Sequence, residues 1–370
     1  MRRSRRMINS KFLILLSIIG ITLISIIKVP SILEYNTIKA IGYDEISIDK
    51  FYEHNLQDKI IEENYFSKVL NDAIKNDSFN PKYYEIYKTK EILSDEEKKV
   101  IDLLLNKHYD FNNISNIFSS LTLKEIYPLL VFDYQPNINL YIKDVTLNRP
   151  NNSDESFILN DSYIKLYANI EEVKDPSAID VNVSKKYHLP STYEPSDLVE
   201  LPIRYASPNV TLRKEAYDAA IKMFTDMEPL NLKAYITNGY RSYDYQTDLY
   251  DGYVTKDGVQ RADTYAARPG HSEHQTGLTF DITALGYEMV DFSESKAYAW
   301  LNENAHKYGY FQRYATNKTS ITGYREESWH WRYVGVDLAS KLKESHLTYD
   351  EYYELYMKEI VVEQENTGTK

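Results

Sequence analysis

Two imidazoles and two carboxylates in the C-terminal half have the types and spacing that a metal-assisted hydrolase needs. His274 lies seven residues before Asp281 and Glu327 three before His330, in Ser272-Glu-His-Gln-Thr-Gly-Leu-Thr-Phe-Asp281 and Glu327-Ser-Trp-His330. Two histidines and one aspartate give a zinc ion three protein ligands and leave the fourth tetrahedral position to water, the open coordination of a catalytic site. Beside that water, Glu327 would serve as general base and then as general acid toward the leaving amine. A single histidine next to tryptophans is usually a packed core residue. Two spaced pairs in one region, on predicted strand ends, set this combination apart.

The flanking residues predict the elements that carry these groups. In Gly277-Leu-Thr-Phe-Asp-Ile, Leu278, Phe280 and Ile282 share one face of a strand, and Thr279, Asp281 and Thr283 the other. Asp281 is thereby expected to face a cleft while its neighbours anchor the strand, and Gly277 lets the preceding loop bring His274 back over the same face. Trp329-His-Trp-Arg-Tyr-Val reads as a second strand with His330 and Arg332 opposite Trp329, Trp331 and Tyr333. A fully extended strand would turn Glu327 away from His330, so the reading requires a bend at Ser328. Further strands are expected at Leu232–Thr237 and Tyr310–Tyr314. Helices are expected from a Thr211 cap to Met227 and from Ser293 to Tyr308, the latter stopped by Gly309. The fold class is α+β: a catalytic domain over 171–345 with a small, mostly antiparallel sheet flanked by helices, followed by a short helix and polar tail over 346–370.

The rest of the chain reads as transport and support. Phe12–Ile27 is an uninterrupted apolar or small run after five basic residues, with Lys28 and Pro30 behind it. It is slightly short of the ~20 residues that span a bilayer comfortably, lacks a small-x-small cleavage site, and reads as a transmembrane signal-anchor within residues 1–30. The basic flank places the N-terminus in the cytoplasm and the catalytic domain outside the cell membrane. Residues 31–170 read as a mainly helical stalk or repeat region. At an offset of about 66, Tyr43-Asp44, Ile48, Phe51 and Ile60 align with Tyr109-Asp110, Ile114, Ile117 and Ile126. The match reads either as two short helical modules or as chance similarity in a biased composition. Asn148–Asp154 is turn-rich, and Ser162–Ala168 alternates like a strand. The formal charge is −12 although residues 1–28 carry six basic groups and no acid, so the body is acidic and nucleic acid is excluded as a partner. Cysteine is absent, which rules out a thiolate nucleophile and leaves any zinc to nitrogen and oxygen ligands.

Four blocks carry a family resemblance in order: Gly239-Tyr-Arg-Ser-Tyr-Asp-Tyr-Gln246; Arg268-Pro-Gly-His-Ser-Glu-His-Gln-Thr-Gly-Leu278 through Asp281; Trp300-Leu through Tyr308-Gly309; and Ile321-Thr-Gly-Tyr through Trp329-His, ending at Gly335. Over about residues 180–345 the chain resembles the VanY-type D-alanyl-D-alanine carboxypeptidases, zinc peptidases of the bacterial cell wall. The resemblance implies Zn2+ held by His274, Asp281 and His330, with Glu327 as catalytic base. It also implies that Arg241 pairs with the substrate's terminal carboxylate and that Gln246 and Ser272 line the substrate site. A guanidinium fork suits that anion by charge and geometry. Phe280 is bulkier than the small apolar residue expected before the aspartate. The expected substrate is the C-terminal D-alanine of a peptidoglycan stem peptide. The alternatives are an L,D bond in a tetrapeptide stem, or a non-catalytic cell-wall binding protein on the same fold, against which the retained Glu327 argues.

Overall fold

The computed structural model describes residues 32–88, 90, 94–131, 137–148 and 166–358. The expected span Phe12–Ile27, most of the turn-rich segment after Asn148 and the first half of the strand expected at Ser162–Ala168 lie outside these residues. Among the described residues no helix is long and apolar enough to cross a membrane. Leu166–Ala168, the described end of that expected strand, forms a turn instead. The Tyr167 ring lies against the Arg268 guanidinium, 4.0 Å from its centroid, so packing rather than a ladder decides its conformation.

The chain divides into two compact units, residues 1–93 and 94–370. The first contains helices α1 (Ile32–Ile41), α2 (Glu45–Glu53), α3 (Gln57–Glu63) and α4 (Lys68–Lys75). Asp44 caps α2 by accepting the Ser47 N–H, and Ser67 caps α4 by accepting that of Leu70. The second unit opens on α5 (Asp95–Asn106), α6 (Phe111–Ser120), α7 (Leu123–Val131) and α8 (Ile138–Asn148). Ser94 and Glu97 close a capping box on α5, and Asp110 caps α6 through Asn113. The two sets correspond at the sequence offset. Tyr43 and Tyr109 are both buried before a capping aspartate, and Ile48/Ile114, Phe51/Ile117 and Ile60/Ile126 are buried in turn. Gly42 and His108, one residue before each tyrosine, both have positive φ.

In the remainder of the second unit, β1 (Glu171–Glu172) runs parallel to β2 (Tyr187–His188), and β3 (Leu198–Glu200) pairs antiparallel with β4 (Thr211–Arg213). The central sheet is antiparallel throughout, in the order β5-β6-β8-β7, from β5 (Ala234–Asn238), β6 (Thr279–Ala284), β7 (Tyr310–Tyr314) and β8 (Glu327–Tyr333). Ile236, Leu278, Phe280 and Ile282 form one core with Met223 and Phe224 of α9 (Lys214–Met227) and Leu301 of α11 (Lys296–Asn304). The latter follows α10 (Tyr243–Asp257), whose N-cap Ser242 accepts the Tyr245 N–H. Behind the sheet, α12 (Val336–Ser345) leads to the single turn Tyr349–Tyr352.

Two expected helix starts shift. Thr211 does not cap a helix: it pairs with Glu200 across β3–β4, its carbonyl accepts the Tyr240 N–H, and the helix begins at Lys214. The helix expected from Ser293 begins after Ser295, whose side chain accepts the Tyr298 N–H, with Met289–Glu294 in a 3-10 turn before it. The bend required near Ser328 takes the form of a bulge. Gln312 opposes Trp331 while Tyr314 opposes Glu327, so β8 carries extra residues opposite Arg313. The Trp331 indole N–H donates to the Ser328 carbonyl at 3.0 Å and pins the bulge from inside.

Gly239 shows how tightly β5 hands the chain to α10. An added Cβ would collide with the Thr211 carbonyl oxygen and stand 2.9 Å from Val210 Cγ1. Gly239→Ala should therefore destabilise the protein by about 1–3 kcal/mol, read as a lower urea midpoint with an unchanged slope. A wild-type midpoint would show that this crossing relaxes freely.

Candidate active site

Register brings the first two groups together. Asp281 on β6 pairs directly with His330 on β8, and both side chains are buried. The third, His274, sits in the 3-10 turn Glu273–Thr276, which Gly277 closes in the left-handed conformation at φ 65. That conformation is one a side chain would strain. His274 Nε2 and His330 Nδ1 each stand 3.3 Å from Asp281 Oδ1. One ligand atom from each of the three residues lies within 4.8 Å of the others.

The far side of each imidazole is committed. His274 Nδ1–H donates to the Gly239 carbonyl at 2.7 Å, which leaves Nε2 as a lone pair facing inward. His330 Nε2–H donates to Glu273 Oε2 at 3.2 Å and leaves Nδ1 inward. Asn238 donates to Asp281 Oδ2 at 3.1 Å. This arrangement, in which outer hydrogen bonds fix the tautomer and aim the inner donor, is what a metal ligand set requires. The fit to a cation is direct: His274 Nε2 and Asp281 Oδ1 are buried and, among the described residues, have no hydrogen-bond partner.

The electrostatics agree. Burial, with the Arg241 charge added, holds His274 neutral by pushing it down to about 4. Burial also opposes charge on His330, but the neighbouring carboxylates of Asp281 and Glu273 outweigh that and push it up to about 9. Carboxylates that favour a proton there favour any cation. Glu327 Oε2 lies 3.5 Å from His330 Nδ1. Burial, partly offset by His330, raises the Glu327 carboxyl to about 7.

These groups open on a cleft of about 620 Å³ lined also by Arg241, Gln246, Ser272, Tyr245 and Trp329. Arg241 Nη1 donates to Gln246 Oε1 at 3.0 Å, and Gln246 in turn donates to the Ala267 carbonyl at 2.8 Å. Arg241 Nη2 is 3.6 Å from Asp281 Oδ2, while its Nε is buried without a partner among the described residues. The cleft therefore presents inward donor atoms, a carboxyl group of raised pKa and the Arg241 guanidinium on one wall. His271 is used otherwise, its Nδ1–H donating to the Ser184 carbonyl at 2.7 Å. His306 lines a separate cavity beside α11. Phe280 is fully buried against Tyr310, ring centroids 4.8 Å apart, so its bulk is absorbed by the core.

Sequence reasoning gave no role to Asn238 or Glu273. Glu273 Oε1 accepts from Arg313 Nε at 2.9 Å and Arg332 Nη1 at 3.0 Å. Burial alone would raise this carboxyl, but the two guanidinium charges reverse the effect and hold it well below the usual range. A signal existed: the alternation that turns His330 inward does the same to Arg332, and a buried arginine calls for a buried acid.

The sequence model of the VanY D-alanyl-D-alanine carboxypeptidases matches residues 209–336. YodJ of Bacillus subtilis strain 168 is 37% identical over 226 residues, 58% of this chain and 83% of YodJ. A D-alanyl-D-alanine carboxypeptidase of Enterococcus faecalis is 37% identical over 126 residues, 32% of this chain and 46% of that enzyme. The solved LdcB LD-carboxypeptidase is 40% identical and covered over 95% of its length and 54% of this chain, with a TM-score of 0.48. The chain belongs to the VanY family of carboxypeptidases. It is accordingly a peptidase, with the cleft between β6, β8 and α10 as its candidate active site.

Glu273→Ala would leave Arg313 and Arg332 facing each other without the carboxylate between them. The expected loss is about 3–5 kcal/mol of folding stability, measured by urea unfolding. A loss under about 1 kcal/mol, the range of an exposed pair, would show that water replaces the carboxylate.

Proposed function

We propose that this chain is a zinc D-alanyl-D-alanine carboxypeptidase that removes the terminal D-alanine from peptidoglycan stem peptides outside the cell membrane. The observation that carries the reading is the placement of Arg241 in the same cleft as three inward ligand atoms and Glu327. His274, Asp281 and His330 form a nitrogen and oxygen donor set of the kind that holds zinc at catalytic sites. A zinc ion bound there would polarise the scissile carbonyl and acidify water at neutral pH.

The chain's own residues supply the remaining steps. Arg241 pairs with the substrate's terminal carboxylate, and Gln246 braces the guanidinium through Nη1. An internal peptide bond offers no such anion, which makes the reaction exopeptidic. Ser272, at the start of the turn that carries His274, lines the same cleft. Glu327 takes a proton from the attacking water as the new carbon–oxygen bond forms. It returns that proton to the amine nitrogen as the carbon–nitrogen bond breaks, and its raised pKa suits both directions of transfer. The name of the Enterococcus faecalis relative supports D-alanyl-D-alanine as the substrate end. Nothing in Arg241 or Glu327 reads the configuration of the residue before the scissile bond. The location rests on the basic-flanked apolar run Phe12–Ile27.

With zinc, the purified protein should release D-alanine from a pentapeptide stem ending in D-Ala-D-Ala, and chelation should stop the release. Glu327→Ala should lower kcat by about 10²- to 10⁴-fold, the usual contribution of a general acid–base. Wild-type kcat in that variant would sink the mechanism. Undiminished cleavage of an amidated C-terminus would sink the role of Arg241. Faster release from a tetrapeptide stem would reassign the enzyme to L,D bonds. Protease added to intact cells should digest residues 166–358, and their protection would overturn the outward location.

A further inference from the structure

The mechanism leaves unused a second layer of buried charge behind His330. Arg313 on β7 is 1% exposed, and its guanidinium is divided between two acids. Nε serves Glu273 Oε1, while Nη1 and Nη2 form a two-pronged pair with Asp350 at 2.6 and 3.0 Å. Asp350 belongs to the turn Tyr349–Tyr352, beyond residues 209–336 that match the family. The turn is independently fastened. Thr348 and Glu351 form a capping box, Lys318 reaches Glu351 at 3.1 Å, the Tyr349 ring meets Phe311, and α7 packs on the turn.

We infer that Asp350 is a positioning residue for the metal site, acting through Arg313 and Glu273 on His330. The inference rests on the metal reading of His274, Asp281 and His330. Its basis is how Glu273's two oxygens are allotted. Oε1 takes both guanidinium groups, which frees Oε2 for His330 Nε2–H. A guanidinium fork prefers to grip both oxygens of one carboxylate. Asp350 prevents this by occupying the two Nη groups of Arg313, so that only Nε remains for Glu273. Without it, the fork is free to turn onto both Glu273 oxygens and compete with His330 for Oε2. The imidazole then loses the bond that fixes its tautomer and aims Nδ1 inward. Arg332 cannot form such a fork, because its Nε and Nη2 are held by the Tyr333, Ile179 and Val181 carbonyls.

The test is zinc affinity of the full-length chain by competition with a chromophoric chelator, together with the ¹⁵N signals of the His330 ring. Asp350→Asn should weaken zinc binding by about 10- to 100-fold, the effect of losing an outer partner of a metal ligand, and should shift or broaden the Nε2 signal. Glu354→Ala loosens the same C-terminal segment by removing the partner of Tyr187 but leaves the relay intact, and should keep zinc affinity within about two-fold of wild type, well short of that loss. Wild-type affinity and an unmoved ring signal in Asp350→Asn overturn the inference, as does an equal loss in Glu354→Ala. Should Asp350→Asn fail to fold, Arg313→Lys, which keeps the charge but cannot fork, decides on the same two readouts. Failure of both to fold assigns the pair a structural role and overturns positioning. A wild-type chain that binds no zinc overturns the metal reading itself, an outcome visible before any variant is compared.

Discussion

The site depends on one pairing, Asp281 opposite His330 in the β6–β8 ladder. Because side chains alternate with period two, a slip of one residue would place Phe280 in the cleft and Asp281 in the apolar core. Several contacts resist that slip. Phe280 and Trp331 are paired and both buried, and the Tyr333 N–H donates to the Leu278 carbonyl at 2.8 Å. The Arg332 side chain is held by the Ile179 and Val181 carbonyls at 2.9 Å. The ladder is thus fixed by apolar packing on one face and by hydrogen bonds from a buried cation on the other. The bulge in β8 adjusts only the stretch that carries Glu327.

Taking charges out of water is costly, and the arrangement around His330 shows where that cost is balanced. On its outer side Arg332, Glu273, Arg313 and Asp350 alternate in sign, each within hydrogen-bonding distance of the next, and all are buried. That layer is electrically closed. On the inner side Asp281 lies beside Arg241, whose Nε has no partner among the described residues, and Glu327 shares their cleft. The imidazole therefore separates a layer with nothing left to bind from one still able to accept a cation and an anion. Polarity of this kind is expected where a fold holds a reactive site still without satisfying it.

Most of the inner layer was legible in the sequence because it depends on short-range spacing. Strand parity places Asp281 and His330, and the requirement that Glu327 share their cleft calls for a bend near Ser328. The outer layer was not legible in the same way. Glu273 follows Ser272 in sequence, but its partners come from β7 and β8, and Arg313's second acid from a turn 77 residues further on, with no local pattern linking them. Local propensity also failed where tertiary pairing overrode it. Thr211 is a good cap, but its backbone is occupied by Glu200 and Tyr240.

Read as copies of one module, the two helical sets separate what local signals decide from what side-chain faces decide. The caps Asp44 and Asp110, the buried tyrosines before them and the buried isoleucines after them are equivalent in the two copies. These features specify each copy's own helices and little else. The copies diverge at α3 and α7. In α3, Gln-Asp-Lys-Ile-Ile-Glu-Glu, only Gln57 and Ile60 are buried. In α7, Leu-Lys-Glu-Ile-Tyr-Pro-Leu-Leu-Val, every residue from Ile126 to Val131 is buried, and the helix packs on the turns Thr319–Thr322 and Tyr349–Tyr352. Apolar area on one helix is therefore what makes the second copy continuous with the catalytic core. The compact units accordingly part between Leu93 and Ser94, at the seam between the copies rather than after both. Since the turn that α7 covers also carries Asp350, the same apolar face buttresses the charge layer behind His330.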